Sequence, residues 1–351
     1  MTAGALDSAG IRNAVDVCLE DFLAVKARTA DTEVSRTLHG FLSAGGERIR
    51  PVLCVAGWHA GSGDQAPPPV LQVAASLEMF HAFALIHDDV MDNSATRRGK
   101  PCVHRALAAL HQAERSRAAA ECLGASAAIL IGDAALTWAD ELVHTAGLTP
   151  AQLAAVLPLI DIMRSEAVYG QYLDITAAGR PTGDLGRATR IVRYKTAKYT
   201  AERLLHIGAA LAGSPRSVRD ALSGYALPLS EAFQLRDDPL SVFGTPARTG
   251  KSRLDDLREG KHTALVALAL RHADPRQQDT LRALVGKPDL SEHEGDRLRH
   301  LFIDTGARDA VELMIEDRRA QALRSLETAA FAPAAAAALH HLAYTATKRP
   351  V

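Results

Sequence analysis

The run His81–Pro101, HAFALIHDDVMDNSATRRGKP, passes from an apolar stretch straight into three aspartates and two arginines. On a helix of 3.6 residues per turn, Asp88 and Asp92 project from the same face, one above the other. Like charges stacked in this way repel by roughly 0.2–0.5 kcal/mol. A divalent cation or an arginine clamp between them turns that cost into a binding site.

Apolar residues recur at helical spacing almost everywhere else, as in VDVCLEDFLAVKA, LQVAASLEMFHAFALIH, LAAVLPLIDIMRSEAVYGQYLDI and DAVELMIEDRRAQALRSLE. Sustained alternation with β-branched residues is absent, and the breaks (GSGDQAPPP, AAGRPTGDLG, GTPARTG, GKPDLSEHEGD) are short and rich in Gly, Pro, Asp or Ser. The pattern predicts an all-α fold, one domain over residues 1–351 with a flexible stretch at 1–12. The alanines at 334–338 follow Pro333 and read as a helix with proline in its first turn.

Lysines and arginines number 40 against 41 acids, so there is no overall basic field to hold nucleic acid or an anionic membrane surface. Any phosphate binding must be local. No window reaches the ~18 uninterrupted apolar residues of a membrane span; the longest, CLGASAAILIG, stops at Asp133. Cys18, Cys54, Cys102 and Cys122 lack the spacing of a zinc or redox site. The expectation is a reduced, cytoplasmic protein without a membrane span.

A second acidic cluster, FQLRDDPLSVFGTPARTGKSRLDDLREGKHT at 233–263, repeats the grammar of the first. An apolar helical approach ends in Asp237 and Asp238, and Lys251 and Lys261 follow in glycine-flanked loops. Two such helices facing across a bundle cavity could hold metal with carboxylates and phosphate with Arg97, Arg98, Lys195, Lys251 and Lys261. Magnesium, which is usually shared between a few carboxylates and substrate phosphates, suits so sparse a set. Solvated helix ends with surface ion pairs would account for one such cluster, but not for two matched ones.

The ordered motifs are GGERIRP at 45–51, DDVMD at 88–92, RRGKP at 97–101, GQYLD at 170–174, KT at 195–196, and FQLRDD at 233–238 followed by two GK pairs. Together they resemble the trans-isoprenyl diphosphate synthases of the polyprenyl synthetase family, most of all the bacterial short-chain geranylgeranyl and farnesyl diphosphate synthases. The resemblance implies a helical bundle around a deep central cavity, usually a homodimer, that joins isopentenyl diphosphate head-to-tail to an allylic diphosphate. It implies three Mg2+ ions, two held by Asp88 and Asp92 and one by Asp237. Arg97, Lys195, Lys251 and Lys261 would hold the allylic diphosphate. The Lys195 carbonyl, the Thr196 hydroxyl and the Gln234 amide would line the carbocation, with Asp89, Gln171, Asp174 and Asp238 in support.

By the same resemblance isopentenyl diphosphate is held without metal, by the cations Arg50, Arg98 and His81. A lone histidine on an apolar helix is more often a core residue, and only the place of His81, seven before Asp88, lifts it; His87 has no such match and reads as structural. Phe83 with small Ala84 beside it, and no insertion in DDVMD, resembles synthases that stop at geranylgeranyl diphosphate, with farnesyl diphosphate next. The chain departs from the family pattern at Glu47, where a lysine normally contacts isopentenyl diphosphate, at Ser241, where the second cluster usually ends in aspartate, and at GTP in place of GDP over 244–246. Two rivals follow. A class I terpene cyclase would need an Asn, Ser and Glu metal site, and no asparagine occurs after Asn93. A non-catalytic, regulatory subunit of a hetero-oligomeric synthase is motivated by Glu47 and Ser241.

Overall fold

The computed structural model describes residues 6–29, 32–62, 65–245, 252–329 and 331–347. The elements up to the first acidic cluster are α1 (Ser8–Thr29), α2 (Thr32–Ser43), α3 (Ile49–Ser62) and α4 (Pro68–Met91). Then come a two-residue hairpin, β1 (Thr96–Arg97) with β2 (Lys100–Pro101), and α5 (Val103–Leu110), α6 (Arg117–His144) and α7 (Pro150–Ala177). Next, α8 (Leu185–Ile191) runs through a π-helical stretch, Val192–Glu202, into α9 (Arg203–Leu211), and α10 (Arg216–Phe243) follows. The remainder is α11 (Asp255–Glu259), α12 (Ala264–His272), α13 (Pro275–Leu284), α14 (Glu292–Asp304), α15 (Ala307–Thr328) and α16 (Pro333–Thr347). Helix α1 begins at Ser8, inside the stretch 1–12 expected to be flexible, because Val15, Leu19 and Leu23 pack into the core.

The long helices start where their caps dictate. Pro68 opens α4 at a position whose N–H would have no helical partner anyway, and Thr149 and Gln152 form a capping box at the start of α7. Helix α4 lies inside the bundle against α1, α3 and α6. The buried apolar residues fall into two clusters, and α10 contributes to both, through Leu222 and Tyr225 to one and Leu235 and Val242 to the other. Contrary to the sequence expectation, α4 and α6 are each long and apolar enough to cross a membrane by length and composition. For α4 the reason is its place in the core, with 67% of the apolar window buried, whereas in α6 only 39% is buried.

The hairpin is what RRGKP encodes. Arg98 (φ 53°) and Gly99 (φ 73°) are its two central residues, and positive φ at both makes the tight turn that suits a two-residue loop. The turn therefore sends the neighbouring side chains of Arg97 and Arg98 to different sides.

Candidate active site

Asp88, Asp89 and Asp92 lie at the C-terminal end of α4, the negative end of the helix dipole and so the wrong end for anions. The placement demands cations, and three elements supply them. From the π-helical stretch, Lys195 Nζ reaches Asp88 at 3.0 Å and Asp174 at 2.6 Å. From the loop after α11, Lys261 Nζ reaches Asp92 at 3.0 Å, Glu259 at 3.0 Å and Asp256 at 3.6 Å. From the hairpin, Arg97 grips buried Asp89 through Nε and Nη2 and lies 3.7 Å from Asp88. Gln171 Nε2 donates to Asp88 at 3.0 Å.

The stacked pair is therefore electrically unequal. Burial opposes the charge on Asp88, but Lys195, Lys261 and Arg97 outweigh it and hold this carboxyl well below the ordinary carboxylate range. For Asp92 burial prevails, joined by the Asp88 charge, and its pKa is raised despite Lys261. Burial also pushes Glu259 up to about 7 against Lys261.

Helix α10 brings up the second cluster. Thr196 donates its hydroxyl to Gln234 Oε1 (3.0 Å), and Gln234 Nε2 donates to Asp238 Oδ1 (3.2 Å). Asp238 is buried, among the described residues its other oxygen has no hydrogen-bond partner, and burial pushes its pKa up to about 7. Asp237 is half-buried on the same turn. Ser241 bonds back to the Asp238 carbonyl of its own helix at 2.9 Å. Lys251 lies outside the described residues.

A separate cavity of about 150 Å³ gathers the residues expected to hold isopentenyl diphosphate: Glu47, Arg50, His81 and Arg98, together with Glu78 and Phe233. The hairpin aims Arg98 here, where Nη1 donates to the Gly45 carbonyl. Arg50 donates to Thr200 at 3.2 Å and stacks over the Tyr199 ring at 4.9 Å. His81 Nδ1 lies 2.6 Å from the Tyr199 hydroxyl. Here the sequence reading needs correcting, since His81 is no cation: burial, then Arg50, Arg98, Arg97 and Arg48, push it well below its ordinary pKa. It offers hydrogen bonds and no charge.

Phe83 and Ala84 are half-buried on α4. The Phe83 ring lies 5.3 Å from that of Phe80 and 4.7 Å from that of His87. Sequence reasoning missed Tyr199, whose place four after Lys195 on a helical register was the available signal. It also missed Asp256 and Glu259, within five residues of Lys261, and buried Arg48, which bonds Asp16 (2.8 Å) and Glu78 (2.9 Å) and which nothing in the sequence marked.

The polyprenyl synthetase family model matches residues 31–301. The chain belongs to the polyprenyl synthetase family. Among polyprenyl synthetases it is similar to a geranylgeranyl pyrophosphate synthase from Corynebacterium glutamicum, solved with isoprenyl diphosphate and magnesium, at 39% identity and TM-score 0.93 over 98% of this chain and 100% of that one. It is 30% identical to the geranylfarnesyl diphosphate synthase of Aeropyrum pernix over 85% of this chain and 87% of that protein. With the farnesyl diphosphate synthase of Geobacillus stearothermophilus it shares 32% identity over 72% of this chain and 85% of that protein. These polyprenyl synthetases have names that span three product lengths, so membership alone leaves the length to be argued from the site.

Proposed function

We propose that this chain is a trans-prenyltransferase that joins isopentenyl diphosphate head-to-tail to an allylic diphosphate, with geranylgeranyl diphosphate as its main product and farnesyl diphosphate next. One observation carries the reading. Two kinds of site flank α4: carboxylates paired with cations at its C-terminal end, and a cavity lined by Arg48, Arg50 and Arg98 together with Glu47 and Glu78. A donor that must ionise needs the first kind, and an acceptor that keeps its diphosphate needs the second.

The donor set fits magnesium. Among the described residues no three His, Cys, Asp or Glu side chains are grouped to cage a metal alone, so an ion here would complete its shell with diphosphate oxygens. Asp88 and Asp92, with Asp237 from α10, would hold the ions, three per site. Bound there, magnesium neutralises the departing diphosphate and so makes cleavage of the allylic C–O bond possible. Lys195, Lys261 and Arg97, already gathered at the carboxylates, hold phosphate oxygens. The Lys195 carbonyl, Thr196 hydroxyl and Gln234 amide present negative dipole ends to the allylic cation, and the excluded water spares it from capture. The released diphosphate takes the final proton. Incubation of the pure chain with magnesium, labelled isopentenyl diphosphate and each allylic starter should yield prenyl diphosphates; no product from any starter would refute the reading.

Glu47 lines the acceptor pocket where repulsion weakens binding. Glu47→Lys should lower KM for isopentenyl diphosphate about tenfold and leave that for the allylic substrate unchanged. An unmoved KM would take Glu47 out of the pocket's electrostatics. Glu47 also favours a second reading, a regulatory subunit, which would turn over only when mixed with an active synthase.

Phe83 is the proposed floor of the tail channel, five residues and so about 7.5 Å before Asp88 along the axis. Phe83→Ala should lengthen the product by at least one five-carbon unit. Ordinary core packing forecasts instead a loss of about 3–5 kcal/mol with the product unchanged, and chromatography of dephosphorylated products decides. We further propose a cytoplasmic homodimer. Leu110 on α5 and Ile129 and Leu130 on α6 are exposed at 64%, 43% and 67%, apolar side chains that a second copy would cover. Its test is the solution mass.

A further inference from the structure

We propose that His87 is a positioning residue that sets product length through Phe83. The inference rests on the reading of Phe83 as the floor of the tail channel. Phe80, Phe83 and His87 follow one another at spacings of three and four and form a single stripe along α4. Their rings touch in series, with centroids 5.3 Å apart for Phe80 and Phe83 and 4.7 Å apart for Phe83 and His87. At the end of the stripe farther from Asp88, Phe80 meets Tyr199 at 5.6 Å.

The end next to Asp88 is fixed to another helix. His87 Nε2 lies 3.1 Å from the Ile129 carbonyl of α6. A carbonyl only accepts, so the Nε2–H donates. The same nitrogen lies 3.4 Å from Asp133 Oδ1. The ring fits because residue 132 is glycine, where an added Cβ would come within 2.2 Å of His87 Cδ2. His87 is thus held in a notch of α6, and the Phe83 ring, one turn farther from the metal site on α4, is blocked from swinging toward Asp88 into that notch. Phe80 confines the Phe83 ring on the side away from Asp88 and His87 confines it on the near side, so a tail that reaches Phe83 can move it aside only by displacing the His87 ring and breaking its bond to α6. Without His87, Phe83 gains a rotamer that opens the channel.

The test compares His87→Ala, His87→Phe and Phe83→Ala with the wild type, each as the full chain with magnesium, labelled isopentenyl diphosphate and farnesyl diphosphate. Dephosphorylated products are sized by chromatography, and initial rates of the first condensation and melting temperatures are recorded. His87→Ala should move the main product at least one five-carbon unit beyond that of the wild type, with the first condensation within about twofold. His87→Phe, which keeps a ring against Phe83, should restore the wild-type length. If Phe83→Ala lengthens the product while His87→Ala lowers only the melting temperature, the inference falls and the floor stands. If neither substitution changes the length, both the floor and the inference fall.

Discussion

Asp88→Ala should lower turnover by about 10³-fold, the scale on which a preorganised charge aimed at a developing anion acts. Asp92→Ala should do the same, yet the two should differ in stability. Asp88 is held well below the ordinary carboxylate range, burial notwithstanding, by Lys195, Lys261 and Arg97, so its charge stabilises the ligand-free fold. Asp88→Ala takes one carboxylate from Lys195 and leaves it Asp174 at 2.6 Å, a cost of about 1–3 kcal/mol for a part-buried charged hydrogen bond. Asp92 is raised by burial, so Asp92→Ala should leave the melting temperature unchanged or higher, since Lys261 keeps Asp256 and Glu259. Steady-state rates with both substrates saturating, beside thermal melts without ligand, test the pair. Near-normal turnover in either variant would remove these carboxylates from the chemistry.

The bundle was readable because helical periodicity is local, and the motif order because each motif lies within a few residues. His81 shows what was not readable. Its lost charge depends first on burial in the bundle and then on four arginines drawn from two segments, Arg48 and Arg50 before α4 and Arg97 and Arg98 after it, whereas its spacing to Asp88 says nothing about protonation. Lys261 was visible as a cation, but its partner Asp92 lies 169 positions away, a pairing set by tertiary packing. The apolar length of α4 and α6 was underestimated because uninterrupted runs were counted; α4, buried in the bundle, tolerates a few polar residues that find partners, as Glu78 does with Arg48 at 2.9 Å. Arg97 and Arg98 were assigned to different diphosphates by resemblance. In the hairpin Arg97 flanks the turn and grips Asp89, whereas Arg98 lies in the turn itself and donates to the Gly45 carbonyl.

The glycine of GQYLD explains itself in the same terms and supplies the second large effect. Gly170 on α7 packs directly on the π-helical stretch, where an added Cβ would lie 2.1 Å from Lys195 N and 2.4 Å from Tyr194 C. Both are backbone atoms, so Gly170→Ala must push the two segments apart rather than turn a side chain aside. Those segments carry Gln171 and Asp174 on one side and Lys195 and Thr196 on the other, and their contacts (Gln171 to Asp88, Lys195 to Asp88 and Asp174) hold together the carboxylate–cation cluster proposed to bind the allylic substrate. A shift of about 1 Å there should cost roughly 10²-fold in kcat, on top of about 1–3 kcal/mol of overpacking. Gly208→Ala is the control: its Cβ would lie 1.8 Å from the Cys54 carbonyl oxygen, between α9 and α3. That clash should lower the melting temperature at least as much and leave kcat of the folded fraction near wild type. Equal losses of kcat in the two variants would mean that Gly170 acts through general stability, and that the fit of α7 on the Lys195 segment has no particular part in catalysis.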